Sequence, residues 1–195
     1  MNPTISIVIS CYNDADYIQQ AVDSAYKQTW KEKEIIVVDD GSNERTKNIL
    51  KELGRKIDVL ITQENRGVST ARNAGISAAN GDYILILDGD DYFEPSFCEK
   101  AINIIEKDST VNLVTCFARW FSNEDEFQIF KPSGGFLKDY LKRSCALSNS
   151  IFRKKDWENY GGYDEKMING WEDWEFFIRL HQNGGKTQKR KHITL

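Results

Sequence analysis

Residues 84–95 read ILILDGDDYFEP: four aliphatic residues that demand burial run straight into three aspartates within four positions. Carboxylates that close repel and raise one another's pKa unless a positive group sits between them. A short apolar run bounded by a turn is the pattern of a strand buried on both faces. Such a strand delivers its carboxylates to the edge of a sheet, which raises the question of their positive partner.

Working outward from this stretch, the same pattern recurs twice upstream. Residues 5–10 (ISIVIS) run into Cys11-Tyr12-Asn13, and residues 34–38 (EIIVV) run into Asp39-Asp40-Gly41-Ser42. Between and after these runs the apolar spacing is helical. It predicts helices over 17–28, capped by Asp14 or Asp16, then over 44–53, 68–79 and 95–107, with a further strand over 57–62. Ala71, Ala74 and Ala78 are small enough to let the third of these helices lie close on a sheet. Strands alternating with helices at this spacing predict βαβ units and a mostly parallel central sheet flanked by helices, an α/β class. Such sheets bind ligands outside the C-terminal ends of their strands, where chain direction switches. The three polar strand ends are therefore expected to converge.

Downstream the pattern changes. Residues 111–121 predict one longer strand, 131–135 (KPSGG) a loop, 150–152 a short strand and 171–182 an amphipathic helix. Trp157, Tyr160 and Tyr163 supply aromatic surface. A soft boundary near Ser109 separates a nucleotide-type half, 1–108, from a second-substrate half, 109–195, within one domain, and there is no internal repeat.

The chain has 195 residues, 40% hydrophobic and 29% charged, the make-up of a globular protein with a substantial core. A net charge of -4 argues against nucleic acid as a partner. The basic run 186–192 (KTQKRKH) reads as a solvated edge and leaves peripheral membrane association open. Cys11, Cys98, Cys116 and Cys145 lack metal-ligand spacing; three lie among apolar residues and read as reduced, buried thiols of a cytoplasmic protein. The N-terminus has no charged region or cleavage site of a signal peptide, and no apolar run reaches the ~20 residues of a membrane helix.

Asp88-Gly89-Asp90 at a strand end suits a hard divalent cation, Mn²⁺ or Mg²⁺, held by one or two carboxylates and by substrate phosphates. The bare tripeptide is also common in solvated turns, and Asp91 can cap the next helix. Asp39 and Asp40 can read a donor such as the N3–H of uracil or thymine or the N1–H of guanine, or one can cap the helix near Glu44. Residues 67–75 (GVSTARNAG) open a helix whose N–H groups suit an anion, with Arg72 able to pair with a phosphate or an aspartate. In Trp171-Glu172-Asp173-Trp174-Glu175 the acids complement a helix dipole, while the tryptophans can tune a carboxylate toward general-base work.

Together SIVISCYND, VVDDGS, NRGVSTARNAG, ILILDGDD, GGYDE and WEDWEF resemble, in order and over nearly the whole chain, glycosyltransferase family 2 with its GT-A fold (Rossmann-like, of nucleotide-diphospho-sugar transferases). The resemblance implies transfer of a sugar from a nucleotide-sugar, UDP-sugar foremost, to an acceptor hydroxyl of a glycan or glycolipid with inversion, in cell-surface polysaccharide or glycoconjugate synthesis. It implies that Asp40 binds the uracil N3–H with Asp39 in support, that Ser10 and Tyr12 flank the nucleoside, and that Arg72 lies near the nucleotide. It further implies Asp88 beside the ribose, Asp90 as direct Mn²⁺ or Mg²⁺ ligand with Asp88, and Asp173 as catalytic base. Glu172, Trp171 and Gly162 would shape the acceptor side, and the reaction would run in the cytoplasm or at the inner face of the membrane.

The family pattern continues past the Glu-Asp helix with a strand, a Tyr-Arg pair and a metal-site histidine, for which His192 comes too early. The expectation is a chain short at its C-terminus. That keeps one rival reading, a truncated domain that binds nucleotide-sugar without turnover. A haloacid-dehalogenase phosphotransferase would need the acidic motif on its first strand, and a sugar-phosphate nucleotidyltransferase would need a glycine-rich basic loop where Ser10-Cys11-Tyr12-Asn13 stands.

Overall fold

The computed structural model describes residues 2–123 and 126–190. Its elements run β1 (Ile5–Cys11), α1 (Ile18–Tyr26), β2 (Lys33–Asp40), α2 (Glu44–Glu52), a 3₁₀ turn (Leu53–Lys56), β3 (Val59–Gln63), α3 (Val68–Ala78), β4 (Tyr83–Asp88) and α4 (Phe97–Ile105). There follow β5 (Val111–Cys116), β6 (Ala118–Asn123), β7 (Glu126–Phe130), α5 (Leu137–Tyr140), β8 (Ile151–Arg153), α6 (Lys154–Tyr160), α7 (Glu172–His181) and β9 (Lys186–Arg190). The main sheet has the order β3-β2-β1-β4-β8-β5-β9, with β6 and β7 forming a separate antiparallel ribbon.

The expected parallel unit is present: β1 pairs in parallel with β2 and β4, and β2 with β3. Chain order reverses across β1, so the switch point lies at the C-terminal ends of β1, β2 and β4. Two-residue alternation then assigns each strand residue to a face. Ile5, Ile7 and Ile9 of β1 and Leu85 and Leu87 of β4 pack with Ile18 and Val22 of α1 and Phe97 of α4. Val8, Ile84 and Ile86 face the opposite layer, with Ile76 of α3 and Phe176, Phe177 and Leu180 of α7. Continuing that parity puts Asp88 on the α3/α7 face, and in β2, where Ile36 belongs to the same layer, it puts Asp40 there and Asp39 on the other.

α3 approaches the sheet most closely at Gly75, where an added Cβ would stand 2.4 Å from Val8 Cγ1 and 3.1 Å from Val38 Cγ2. The small-residue stripe predicted this approach, although glycine, not alanine, makes the tightest contact.

Several expectations need correction. Residues 111–121 are not one strand: the chain leaves the main sheet at Phe117, and β6 pairs with β7 instead. The short strand β8 inserts antiparallel between β4 and β5. Neither Asp14 nor Asp16 caps α1 through its side chain; Asp14 Oδ2 accepts from the Tyr12 N–H, and Asp16 pairs with Arg45. Asn43, not an aspartate, caps α2 by accepting from the Thr46 N–H at 3.1 Å. Asp91 does not cap α4, whose first flanking residue is Ser96. Tyr163 is buried, while Trp157 and Tyr160 pack half-buried against the same core. The basic run 186–192 begins as the edge strand β9, parallel to β5, and His192 lies outside the described residues. All four cysteines are buried and free, with burial pushing the Cys11 and Cys98 thiols up to about 12.

Candidate active site

The C-terminal ends of β1, β2 and β4 and the first turn of α3 enclose a cavity of about 470 Å³. Of the residues singled out above, Ser10, Tyr12, Asp40, Arg72, Asp88, Asp90 and Glu172 line it. The strand ends therefore converge as periodicity predicts, and α7 contributes as well.

Arg72 is the positive partner of Asp88, one of the three aspartates. It is 3% exposed, and its guanidinium donates to Asp88 Oδ1 through Nη2 and to Glu172 Oε1 through Nη1, each at 2.7 Å. The guanidinium carbon also stands 5.5 Å from the centre of the Tyr163 ring. Burial alone would oppose the charge of Asp88, but Arg72, with hydroxyl donation from Ser148 and Ser10, outweighs it and holds the Asp88 pKa below 3.8. Burial likewise opposes the Arg72 charge, and the carboxylates overcome it. The parity argument explains the meeting: α3 and α7 share one layer, and Asp88 points into it.

Asp40 is buried and well supplied with donors: Gln63 Nε2 at 2.7 Å and the Arg66 N–H at 2.9 Å reach Oδ1, and the Gly67 N–H reaches Oδ2 at 2.9 Å. With about four lone-pair sites on a carboxylate, Oδ2 keeps room for one further donor from the cavity. Asp39 faces away, as parity requires. It is buried and accepts from the Ser42 N–H at 2.9 Å.

Asp90 is exposed in the cavity and has no hydrogen-bond or ion-pair partner among the described residues. The surplus of negative charge registers on its neighbours. Asp14 is pushed up first by burial and then by Asp90 and Asp88; Asp91 is raised to about 6 by burial, Asp88 and Asp90. Among the described residues no three His, Cys, Asp or Glu side chains are grouped to hold a metal by themselves. The donor set therefore fits a hard cation that takes one or two protein carboxylates and completes its shell from phosphate oxygens, and not an all-protein cage.

Asp173 lies outside the cavity lining, beside Glu172, and its carboxylate accepts from its neighbour, the Trp174 N–H, at 2.7 Å. Burial raises its pKa above 3.8, and the charge of Glu172 adds to the shift. Trp171 precedes it with φ of 70°, uncommon for a bulky side chain, and is 64% exposed, edge-on to Trp174 at 5.5 Å. Gly162 also sits apart from the cavity; a Cβ there would stand 2.8 Å from Trp157 Nε1 and 2.9 Å from Asn73 Oδ1.

Sequence reasoning passed over several residues. Asp14 lines the cavity, and its Oδ2 would stand 2.4 Å from a Cβ on Gly89, so glycine is needed there for close approach. Asn73 accepts from the Tyr163 N–H and donates to the Tyr163 carbonyl, both at 2.9 Å, thereby fixing the turn after α6. Only its place at the end of the STARN run hinted at a role. Asn65 lines the cavity with Asp40; it opens the NRGVSTARNAG stretch but was given no role of its own there.

The comparisons with known proteins agree with this geometry. The chain belongs to the family described as glycosyl transferase family 2, whose model matches residues 6–161. A second model, described as the N-terminal domain of galactosyltransferase, matches residues 138–194. The chain is similar to an uncharacterised glycosyltransferase of Rickettsia typhi, 38% identical over 92% of this chain and 60% of the relative. It is also similar to the chondroitin synthase of Pasteurella multocida, 32% identical over 98% of this chain and 20% of that one. Among solved structures, TarS of S. aureus in complex with UDP superposes with a TM-score of 0.80 at 20% identity, covering 98% of this chain and 60% of TarS. The mannosyltransferase PcManGT of Pyrobaculum calidifontis, solved with GDP-Man and Mn²⁺, superposes at 0.77 and 19% identity, covering 100% of this chain and 57% of that one. The fold is the GT-A fold. The chain spans about 60% of the length of its Rickettsia relative and a fifth of the synthase. No helix among the described residues is long and apolar enough to cross a membrane.

Proposed function

We propose that this chain is the transfer domain of an inverting glycosyltransferase that moves a sugar from a UDP-sugar to an acceptor hydroxyl in polysaccharide or glycoconjugate synthesis, on the cytoplasmic side. One observation carries the reading: a single cavity gathers Ser10, Asp40, Arg72, Asp88 and Asp90 from three strand ends and a helix start. The family, and relatives solved with UDP and with GDP-Man and Mn²⁺, support it.

In this reading the free lone pair of Asp40 Oδ2 accepts the uracil N3–H, and Asp39 braces the strand end by holding the Ser42 amide. Ser10 and Tyr12 border the nucleoside, and Asp88, fixed by Arg72, borders the ribose. Mn²⁺ or Mg²⁺ would be held by Asp90, with Asp88 beside it, and supplies Lewis-acid neutralisation of the departing diphosphate. Asp173 takes the proton of the acceptor hydroxyl, and its raised pKa suits a base better than an ordinary aspartate would. Trp171 offers a flat, exposed face to an acceptor sugar, and Glu172 and Gly162 would shape the acceptor side with it. One in-line displacement with one base inverts the anomeric centre.

The test is a panel of UDP-, dTDP- and GDP-sugars assayed for thermal stabilisation with and without Mn²⁺. A shift with the UDP series that grows with Mn²⁺ is expected, and a flat panel would sink the donor site. The place of Asp173 outside the cavity lining leaves a second reading, a donor-binding domain without turnover. Binding without transfer to any acceptor glycan would select it.

A further inference from the structure

The turn that carries the three aspartates is held from both halves of the chain: Arg72 and Ser10 bond Asp88 from the first, and a second set of contacts comes from the other half. Asp88 to Asp91 form a turn closed by the Asp91 N–H donating to the Asp88 carbonyl at 3.1 Å, with Gly89 and Asp90 at its tip. Asp88 Oδ2, the Asp88 N–H and Asp91 Oδ2 are taken by Ser148 and Asn149, some sixty residues on in sequence. Asn149 is 2% exposed. Its Oδ1 accepts from the Asp88 N–H at 3.0 Å, and its Nδ2 donates to Asp91 Oδ2. Beside it, Ser148 Oγ donates to Asp88 Oδ2 at 3.1 Å.

An amide does both jobs at once. A carboxamide accepts from a backbone N–H with one end and donates to a carboxylate with the other, and this pairing also fixes which end is which. Aspartate at this position could accept but not donate, and it would set a second carboxylate against Asp91. Leucine could do neither. The backbone beneath Asn149 is itself held: the Ile86 N–H donates to the Ser150 carbonyl at 3.2 Å, Ser150 Oγ to the Leu147 carbonyl at 2.7 Å, and the Leu147 N–H to Thr115 Oγ1 at 3.2 Å. Asp88 is tied to Arg72 and Ser148 and Asp91 to Asn149, so of the three aspartates Asp90 alone has no partner among the described residues.

We infer that Asn149 is a positioning residue of the donor site: its amide pins Asp88 and Asp91 on either side of the turn so that the Asp90 carboxylate is presented to a divalent cation. The inference rests on the proposed reading of Asp90 as cation ligand. Groups that orient a metal ligand through hydrogen bonds typically change metal affinity 10- to 100-fold when removed.

The experiment measures UDP affinity by calorimetry with and without Mn²⁺, and Mn²⁺ affinity by electron paramagnetic resonance in the presence of UDP. In the unmodified chain, Mn²⁺ should tighten UDP binding. In Asn149→Ala and Asn149→Asp the Mn²⁺ affinity should fall about tenfold or more. UDP affinity without metal should fall by a smaller factor than Mn²⁺ affinity, because the base-reading Asp40 is untouched. A folded Asn149→Ala that keeps its Mn²⁺ affinity overturns the inference, as does an equal loss with and without metal, which would mark general damage to the cavity. If that variant fails to fold, Asp91→Ala breaks the far end of the same hydrogen bond; an unchanged Mn²⁺ affinity there also overturns it. No effect of Mn²⁺ on the unmodified chain would instead bring down the cation reading of Asp90, and this inference with it.

Discussion

The two halves of the molecule reach the same sheet by different routes. In the first, four strands are continuous apolar runs in parallel register, and each is followed by a helix whose buried face is plain in the sequence. In the second, β8 is three residues long and antiparallel, the ribbon β6–β7 leaves the sheet altogether, and the loop before β8 is laid across the end of β4. The first half presents a cavity, and the second supplies what orders it: Glu172 against Arg72, Ser148 against Asp88 and Asn149 against Asp91. A site that looks like the property of a nucleotide-binding half is thus finished by residues more than fifty positions downstream. The pairing differs too. Asp88 and Glu172 each pair with a buried cation, while Asp90 and Asp173 have no such partner among the described residues.

The sharpest way to separate the halves is Asp173→Asn. Removing a general base typically costs 10²- to 10⁴-fold, so transfer should fall by about that factor while UDP affinity barely changes. In the unmodified enzyme the acid limb of the rate profile should lie above pH 3.8, because burial and Glu172 raise the carboxylate and only its ionised form accepts a proton. Collapse of UDP binding in the variant would show that Asp173 serves the donor cavity instead.

Arg72→Ala attacks the link itself. Taking one member from a buried ion group leaves the others uncompensated and costs about 3–5 kcal/mol. For a domain this size that amounts to a drop in melting temperature on the order of 10 °C. Glu172→Gln in the Arg72→Ala background should recover part of the loss, since it removes one of the stranded charges. Independent, additive effects of the two substitutions would show that Arg72 does not couple α3 to α7.

How much of this was legible follows from where each signal resides. The continuous apolar runs of β1, β2 and β4 carried the sheet, but which face each aspartate takes, Asp40 and Asp88 on one and Asp39 on the other, came only with the layers that the structure shows. Arg72 was readable as a candidate partner of the aspartates, but its second carboxylate, Glu172, lies a hundred residues away and no periodicity links them. The break at Phe117 was hidden because β5 and β6 are both apolar enough to pass for one strand. Asn149 and Asn73 are single amides in loops; their roles come from which backbone groups the fold brings to them, and composition does not encode that. Asp14 was visible as a helix cap and proved to face the cavity, because the Tyr12 amide claims its side chain before the helix starts.

Within the first half, Gly75→Ala probes how closely α3 must lie. The new methyl would meet Val8 Cγ1 at 2.4 Å and Val38 Cγ2 at 3.1 Å, both on packed β-branched side chains. Overpacking of this kind costs about 1–3 kcal/mol. Because α3 carries Arg72, UDP affinity should weaken along with stability. A melting temperature equal to that of the unmodified chain would show that the helix can lift from the sheet without penalty.

The smallest effect belongs to the second half and depends on pH. His181 is fully buried; its Nδ1–H donates to the Phe177 carbonyl at 2.6 Å, leaving Nε2 to accept from Thr187 Oγ1 at 3.0 Å. Thr187 Oγ1 in turn accepts from the Tyr140 hydroxyl at 2.6 Å, so the chain of hydrogen bonds runs in one direction and requires a neutral imidazole. Burial lowers the His181 pKa below its ordinary 6.5, so the folded protein binds this proton less readily than the unfolded chain does. Its contribution to stability is therefore fully present above pH 6.5 and is lost as pH falls through the lower folded value. His181→Gln keeps a donor and an acceptor but cannot take up the proton. At neutral pH it should cost roughly the 0.5–1.5 kcal/mol of one imperfect hydrogen bond, measured by urea unfolding. Between pH 7 and 5 it should lose less stability than the unmodified protein. Parallel losses in the two proteins over that range would show that His181 is not what makes α5, α7 and β9 acid-sensitive, and that the second half is no more dependent on a single titrating group than the first.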